Sequence, residues 1–168
     1  MWNKILLVSL LLIAGCAGTR EVVSPPTPTT TENLLVKPLG YDESIKSFRA
    51  NLPKKTKVVK MIQRNVHYPD RVDTIYSFNY KDSRIAILKT HFNRELLLGG
   101  SIRNMEIPLK NGIATGMKWS EILTLLTDFN QEYNDTLVLN HLKSSNKITF
   151  YFDKKGVLQR YTFQGHVD

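Results

Sequence analysis

The stretch Ile148-Thr149-Phe150-Tyr151-Phe152-Asp153-Lys154-Lys155-Gly156-Val157-Leu158-Gln159-Arg160-Tyr161-Thr162-Phe163 is the clearest local signal in the chain. Ile148, Phe150 and Phe152 fall on one face of an extended segment, as the two-residue period of a half-buried strand requires. Asp153 to Gly156 is a polar loop ending in glycine, which suits a type I turn closed by a left-handed residue. Val157, Tyr161 and Phe163 continue the pattern beyond it. The segment is therefore an antiparallel hairpin.

Working back toward the N-terminus, Thr136 to Leu142 reads as a further strand. Trp119, Ile122, Leu123, Leu125 and Leu126 make a broad apolar face at helical spacing, which predicts a helix over 118–128. Gly112 to Gly116 breaks the pattern before it. Leu96 to Ile102 predicts a strand with Gly99-Gly100 as a bulge or bend. Ile85 to Leu88 predicts another, and Asp73 to Tyr80 alternates with Tyr76, Phe78 and Tyr80 on one face. Val58 to Ile62 suits a strand as well. Asp42 is placed to cap a helix whose apolar positions are Ile45, Phe48 and Leu52, and Pro53 closes it. The order of elements predicts an α+β fold. Two helix-plus-antiparallel-hairpin units, with helices at 42–52 and 118–128, share one core in a folded domain over 41–168.

The segment from Gly112 to Leu126 resembles the helix start of small outer-membrane lipoproteins of the SmpA/OmlA (BamE-like) group and of beta-lactamase-inhibitor-protein-like modules. The matching positions are Ile113, Gly116, Met117, Glu121, Ile122 and Leu126. Lys118 departs from the Ser or Thr usual after the Met, and Thr127-Asp128 stands where a Gly-Pro ending is usual. The resemblance covers fifteen residues of the 168. It implies a helix-pair and antiparallel-sheet layout and a role in outer-membrane maintenance or assembly through binding. It identifies no active-site residue.

The chain opens with one lysine, Lys4, and an apolar run from Ile5 to Ile13 interrupted only by Ser9. That run is far short of the roughly 20 residues that span a bilayer. It has the form of a signal peptide over residues 1–15. Ile13-Ala14-Gly15-Cys16 resembles a bacterial lipobox, and Cys16 is the only cysteine of the chain. The resemblance implies acylation of the Cys16 thiol and of the new N-terminus. Ala17, in place of an aspartate, implies sorting to the outer membrane, and no acidic run follows, which favours the periplasmic face. Residues 16–40, centred on Ser24-Pro25-Pro26-Thr27-Pro28-Thr29-Thr30-Thr31, read as an extended tether reaching about 75 Å at most.

The chain has 23 Lys+Arg against 15 Asp+Glu, a formal charge of +8. Charged residues make up 23% of it, the level of an ordinary globular protein, which argues against wholesale disorder. A single cysteine excludes an internal disulfide and any CxxC pair. Nucleic acid is the usual partner of a basic chain, but an envelope location removes it. Residues 37–64 carry eight of the basic residues and two acidic ones. Lys54, Lys55, Lys57, Lys60 and Arg64 are the candidate residues for an anionic partner.

The sequence contains no GxSxG, SxxK, P-loop or HExxH pattern, so no catalytic residue, metal site or cofactor is predicted. His67 with Asp70 and Asp73 is the nearest approach to a metal-binding set. The expected function is a lipid-anchored, periplasm-facing binding or scaffolding module whose partners are the membrane and envelope proteins. Two alternatives stand beside it. One is a binder of anionic lipid or a small ligand through the basic 37–64 segment; the other is an inhibitor of an envelope enzyme.

Overall fold

The structure, a computed structural model, describes residues 26–165. Cys16 and its signal therefore lie outside the described residues. Three short helices, α1 (Thr31–Val36), α2 (Ile45–Asn51) and α3 (Trp119–Leu125), accompany seven strands. The strands are β1 (Lys57–Arg64), β2 (Val72–Tyr80), β3 (Ser83–Lys89), β4 (Glu95–Ile102), β5 (Thr136–Asn140), β6 (Lys147–Phe152) and β7 (Leu158–Gln164).

All seven strands form one antiparallel sheet in the order β1-β2-β3-β4-β7-β6-β5. This corrects the expected α+β arrangement of two helix-plus-hairpin units. The molecule is dominated by a single continuous sheet, and its helices are six or seven residues long. The physical reason lies at the seam between β4 and β7. Gly99 pairs with Gln164 and Gly100 with Phe163. A Cβ on Gly99 would stand 2.4 Å from the Phe163 carbonyl oxygen, and one on Gly100 would stand 2.6 Å from the Phe163 ring. The two glycines thus remove the bulk that would keep β7 away. The expected bulge lies one residue earlier, at Leu98, because Ala86 pairs with Gly99 and Ile87 with Leu97.

One face of the sheet holds the core. Phe78, Ile85, Ile87, Leu97, Ile102, Tyr161, Phe163, Ile148 and Phe150 are all buried there. Each such side chain contributes roughly 1.5–3 kcal/mol by leaving water. The row of Tyr76, Phe78 and Tyr80 lies on this face, with Phe78 and Tyr80 buried and Tyr76 packed at its border. Burial pushes the Tyr161 phenol well above its ordinary range, and its hydroxyl donates to the Ile107 carbonyl. The helices cover this same face. Phe48 of α2 packs on Phe78, Trp119 of α3 meets Phe152 edge-on, and Leu34 and Leu35 of α1 join the same core.

The helix ends differ from expectation in detail. Ser44, not Asp42, caps α2 by accepting from the Ser47 N–H, while Asp42 pairs with Lys37. At α3 the Glu121 carboxylate accepts from the Lys118 N–H at 2.7 Å, which supplies half of a capping box where lysine cannot accept. Gly116 takes a left-handed φ of +94° in the turn before it.

The described part of the expected tether is not free chain. Thr27 N–H donates to the Asn111 carbonyl and Thr29 N–H to that of Leu125. Thr31 then gives both its N–H and its hydroxyl to Asp128, each at 2.8 Å. α1 follows, with Leu34 and Leu35 buried, so residues 26–40 belong to the folded body. Proline and threonine composition conceals this, because the two leucines are a short apolar signal in a polar stretch.

A candidate docking site at one end of the sheet

Antiparallel order brings the β1–β2, β3–β4 and β5–β6 turns to one end of the sheet. The first two turns are joined by a buried carboxylate. Asn65, directly after β1, accepts from the backbone N–H groups of His67 and Tyr68 at 2.9 and 2.8 Å, an Asx-type turn. Its Nδ2 donates to Asp73 Oδ2 at 2.7 Å. The other oxygen of Asp73 accepts the His91 backbone N–H at 2.9 Å from the β3–β4 turn.

Asp73 is only 5% exposed. Burial alone pushes its carboxyl up, but the hydrogen bonds from Asn65 and His91 outweigh that and hold it below the ordinary value. His91 Nδ1 stands 3.5 Å from the same carboxylate, at the outer edge of hydrogen-bond distance, and has no hydrogen-bond partner. The arrangement is a clamp: one carboxylate fixes two turns side by side.

What the clamp presents is apolar. Phe92 is 67% exposed, Val66 86%, and Tyr68 just over half. The Tyr68 and Phe92 rings gather around His91, with Tyr68 edge-on to Phe92 at 6.2 Å and His91 tilted against Phe92 at 3.8 Å between centroids. Arg94, Glu43 and Asn146 border the same cleft, which encloses about 420 Å³. On the β5–β6 turn Leu142 is fully exposed. Arg64, Arg71, Arg94 and Lys143 surround these tips. Among the described residues none of the four lies within 4 Å of a carboxylate, as Lys37, Lys81, His91 and His141 do.

The predicted basic residues are not brought together. Lys54 and Lys55 sit at the opposite end of the sheet, bordering a groove with Tyr80, Lys81 and Glu106. Lys57, Lys60 and Arg64 are spread along β1, whose length places Lys57 roughly 23 Å from Arg64. Lys60 lies over the Tyr76 ring at 5.4 Å. They form a row and not a pocket, so no small ligand touches all five. His67, Asp70 and Asp73, the nearest approach to a metal-binding set in the sequence, are not gathered into one. Asp73 is turned onto Asn65 and His91, and no group of three or more candidate ligands occurs among the described residues.

Sequence reasoning missed Val66, Tyr68, Phe92, Leu142, Arg71 and Arg94. Their signal was the placement of large apolar residues in turns, beside the turn-forming Asn65 and Pro69-Asp70. A second exposed region accompanies the site. β1 is an edge strand, hydrogen-bonded only to β2 among the described residues. By register, Met61, Ile75, Leu88 and Leu96 form an apolar row across the face that carries no helix. Met61 and Val59 are more than half exposed on it.

No family model, curated protein or solved structure matches the chain.

Proposed function

We propose that this chain is a lipid-anchored outer-membrane protein facing the periplasm, and that it acts as a non-catalytic module that binds envelope proteins. The attachment rests on Ile13-Ala14-Gly15-Cys16, with the sole cysteine at the position where acylation needs a sulfur nucleophile. The observation that carries the binding role is the β1 edge. It is eight residues long, leaves a row of backbone donors and acceptors unpaired by any described strand, and adjoins an apolar row on the uncovered face. Such an edge accepts a further strand by main-chain hydrogen bonding, with side chains on alternate positions setting specificity. Lys57, Lys60 and Arg64 on β1 favour an acidic segment as the incoming strand and disfavour a second copy of β1, which would oppose like charges.

A photocrosslinking residue at Met61 in the full chain is expected to trap one envelope protein. Val59→Asp, which places a carboxylate on the apolar face of the edge, should remove that product. No trapped protein, or trapping indifferent to Val59→Asp, contradicts the binding role. Cys16→Ser should abolish lipid labelling of the chain; labelling that persists contradicts the anchor.

A further inference from the structure

We propose that the sheet end bearing the turns at 65–71, 90–94 and 141–146 rests on the anionic surface of a phospholipid bilayer. The chemistry of that end is amphipathic at the scale of single side chains. Each turn projects a large apolar group: Val66 and Tyr68 from the first, Phe92 from the second, Leu142 from the third. Around them stand Arg64, Arg71, Arg94 and Lys143, none within ion-pair distance of a described carboxylate; the nearby acids are Asp70, Glu43, Glu32, which faces His141, and Asp128, which accepts from Thr31. Apolar and aromatic tips enter the boundary between headgroup and acyl chain, while cations around them meet anionic headgroups.

A protein partner fits this end less well. Protein interfaces need an extended core depleted in charge, and here the apolar core is only the small Tyr68–His91–Phe92 cluster, bordered by Arg94 and Glu43. The turns are also fixed before any membrane arrives. Asn65 holds the His67 and Tyr68 N–H groups, and Asp73 ties Asn65 to the His91 backbone. Tips held in place lose little conformational entropy on docking.

The position of the chain start brings the body close to the bilayer; this part alone rests on the lipid anchor proposed above. Pro26 already packs against Gly112, and Thr27 is hydrogen-bonded to Asn111. Only residues 17–25 therefore separate Cys16 from the folded body, and the path from Cys16 to Pro26 spans no more than about 36 Å. That reach is near the diameter of the body itself, so every position it allows keeps the domain beside the membrane.

The test uses the chain from residue 16 with Cys16→Ser, which retains every core residue and carries no lipid. Its sedimentation with phosphatidylglycerol-containing vesicles is compared with that on phosphatidylcholine alone. Binding is expected on the anionic vesicles only, and it should fall as salt rises. The pair Val66→Ser and Phe92→Ser should weaken it about tenfold. The pair Arg71→Gln and Arg94→Gln should do so to a similar extent of about tenfold. Lys54→Gln with Lys55→Gln, at the far end of the sheet, should leave binding unchanged. Tryptophan emission of a Phe92→Trp variant should shift to the blue on the anionic vesicles, which keeps the test open if a serine variant misfolds. Absence of binding, an unshifted emission from the Phe92→Trp variant, or an equal loss from the Lys54/Lys55 pair overturns the proposal. None of these outcomes depends on lipid labelling of Cys16 in cells, so failure of the anchor and failure of this contact are told apart.

Discussion

Where β2 turns into β3 and β6 into β7, the molecule closes its polar groups on one another. Lys81 meets Glu106 at 2.6 Å, and Asp153 accepts the N–H groups of Lys155 and Val157, each at 2.9 Å. Gly156 takes φ +72°, and the Tyr133 hydroxyl donates to the Asp153 carbonyl. At the opposite end an aspartate also collects donors, but it ties two separate turns together and its neighbours project Val66, Tyr68 and Phe92 into solvent. The local chemistry is the same at both ends. The difference is range: Asp153 serves its own turn, whereas Asp73 bonds a residue eighteen positions away. A short-range cap finishes a hairpin, and a long-range one builds a surface.

The comparison is broken most forcefully at Asp73. Asp73→Ala leaves the Asn65 amide and the His91 N–H unpartnered in a buried place, and should cost about 2–3 kcal/mol of stability. Thermal unfolding checks this, and amide exchange at His67 and Tyr68 should accelerate. Asp153→Ala should lower the melting temperature less, because its turn is exposed and water replaces the carboxylate.

The next effect is on pH dependence. The Asp73 carboxyl is held below its ordinary value near 3.8, so its contribution to stability is complete above that pH. It is lost as pH falls through the lower folded value. Asp153 is depressed too, chiefly by the Val157 N–H. Acid unfolding of Asp73→Asn should therefore be flatter than that of the parent chain, and flatter than that of Asp153→Asn. The smallest effect is expected at the exposed ion pair. Glu106 lies below its ordinary value chiefly through the Lys81 hydrogen bond, yet both side chains are about half exposed. Glu106→Gln should leave the melting temperature unchanged within error.

Much of the sheet was legible in the sequence, because alternation is a local signal. The 148–163 hairpin, the left-handed Gly156, the irregularity beside Gly99-Gly100 and the aromatic row of β2 can each be read within a few residues. What was not legible is non-local. Nothing around Gly99 says that its partner is Gln164, so two hairpin-bearing halves were expected where one sheet exists. The candidate site failed for two related reasons. Lys54 to Arg64 are neighbours in sequence, but an extended strand separates neighbours instead of clustering them. Asp73 reads as a solvent-facing polar residue, since the Asn65 and His91 groups that justify its burial lie on other turns.

The proposed contrast between a sheet end that meets membrane and an edge that meets protein is tested most directly by one crosslinking measurement in intact envelopes. A photoreactive residue is placed in the full chain at position 92 or at position 61. The prediction is that position 92 labels phospholipid and position 61 labels protein. Protein labelling from position 92, or labelling of the same target from both positions, would contradict it.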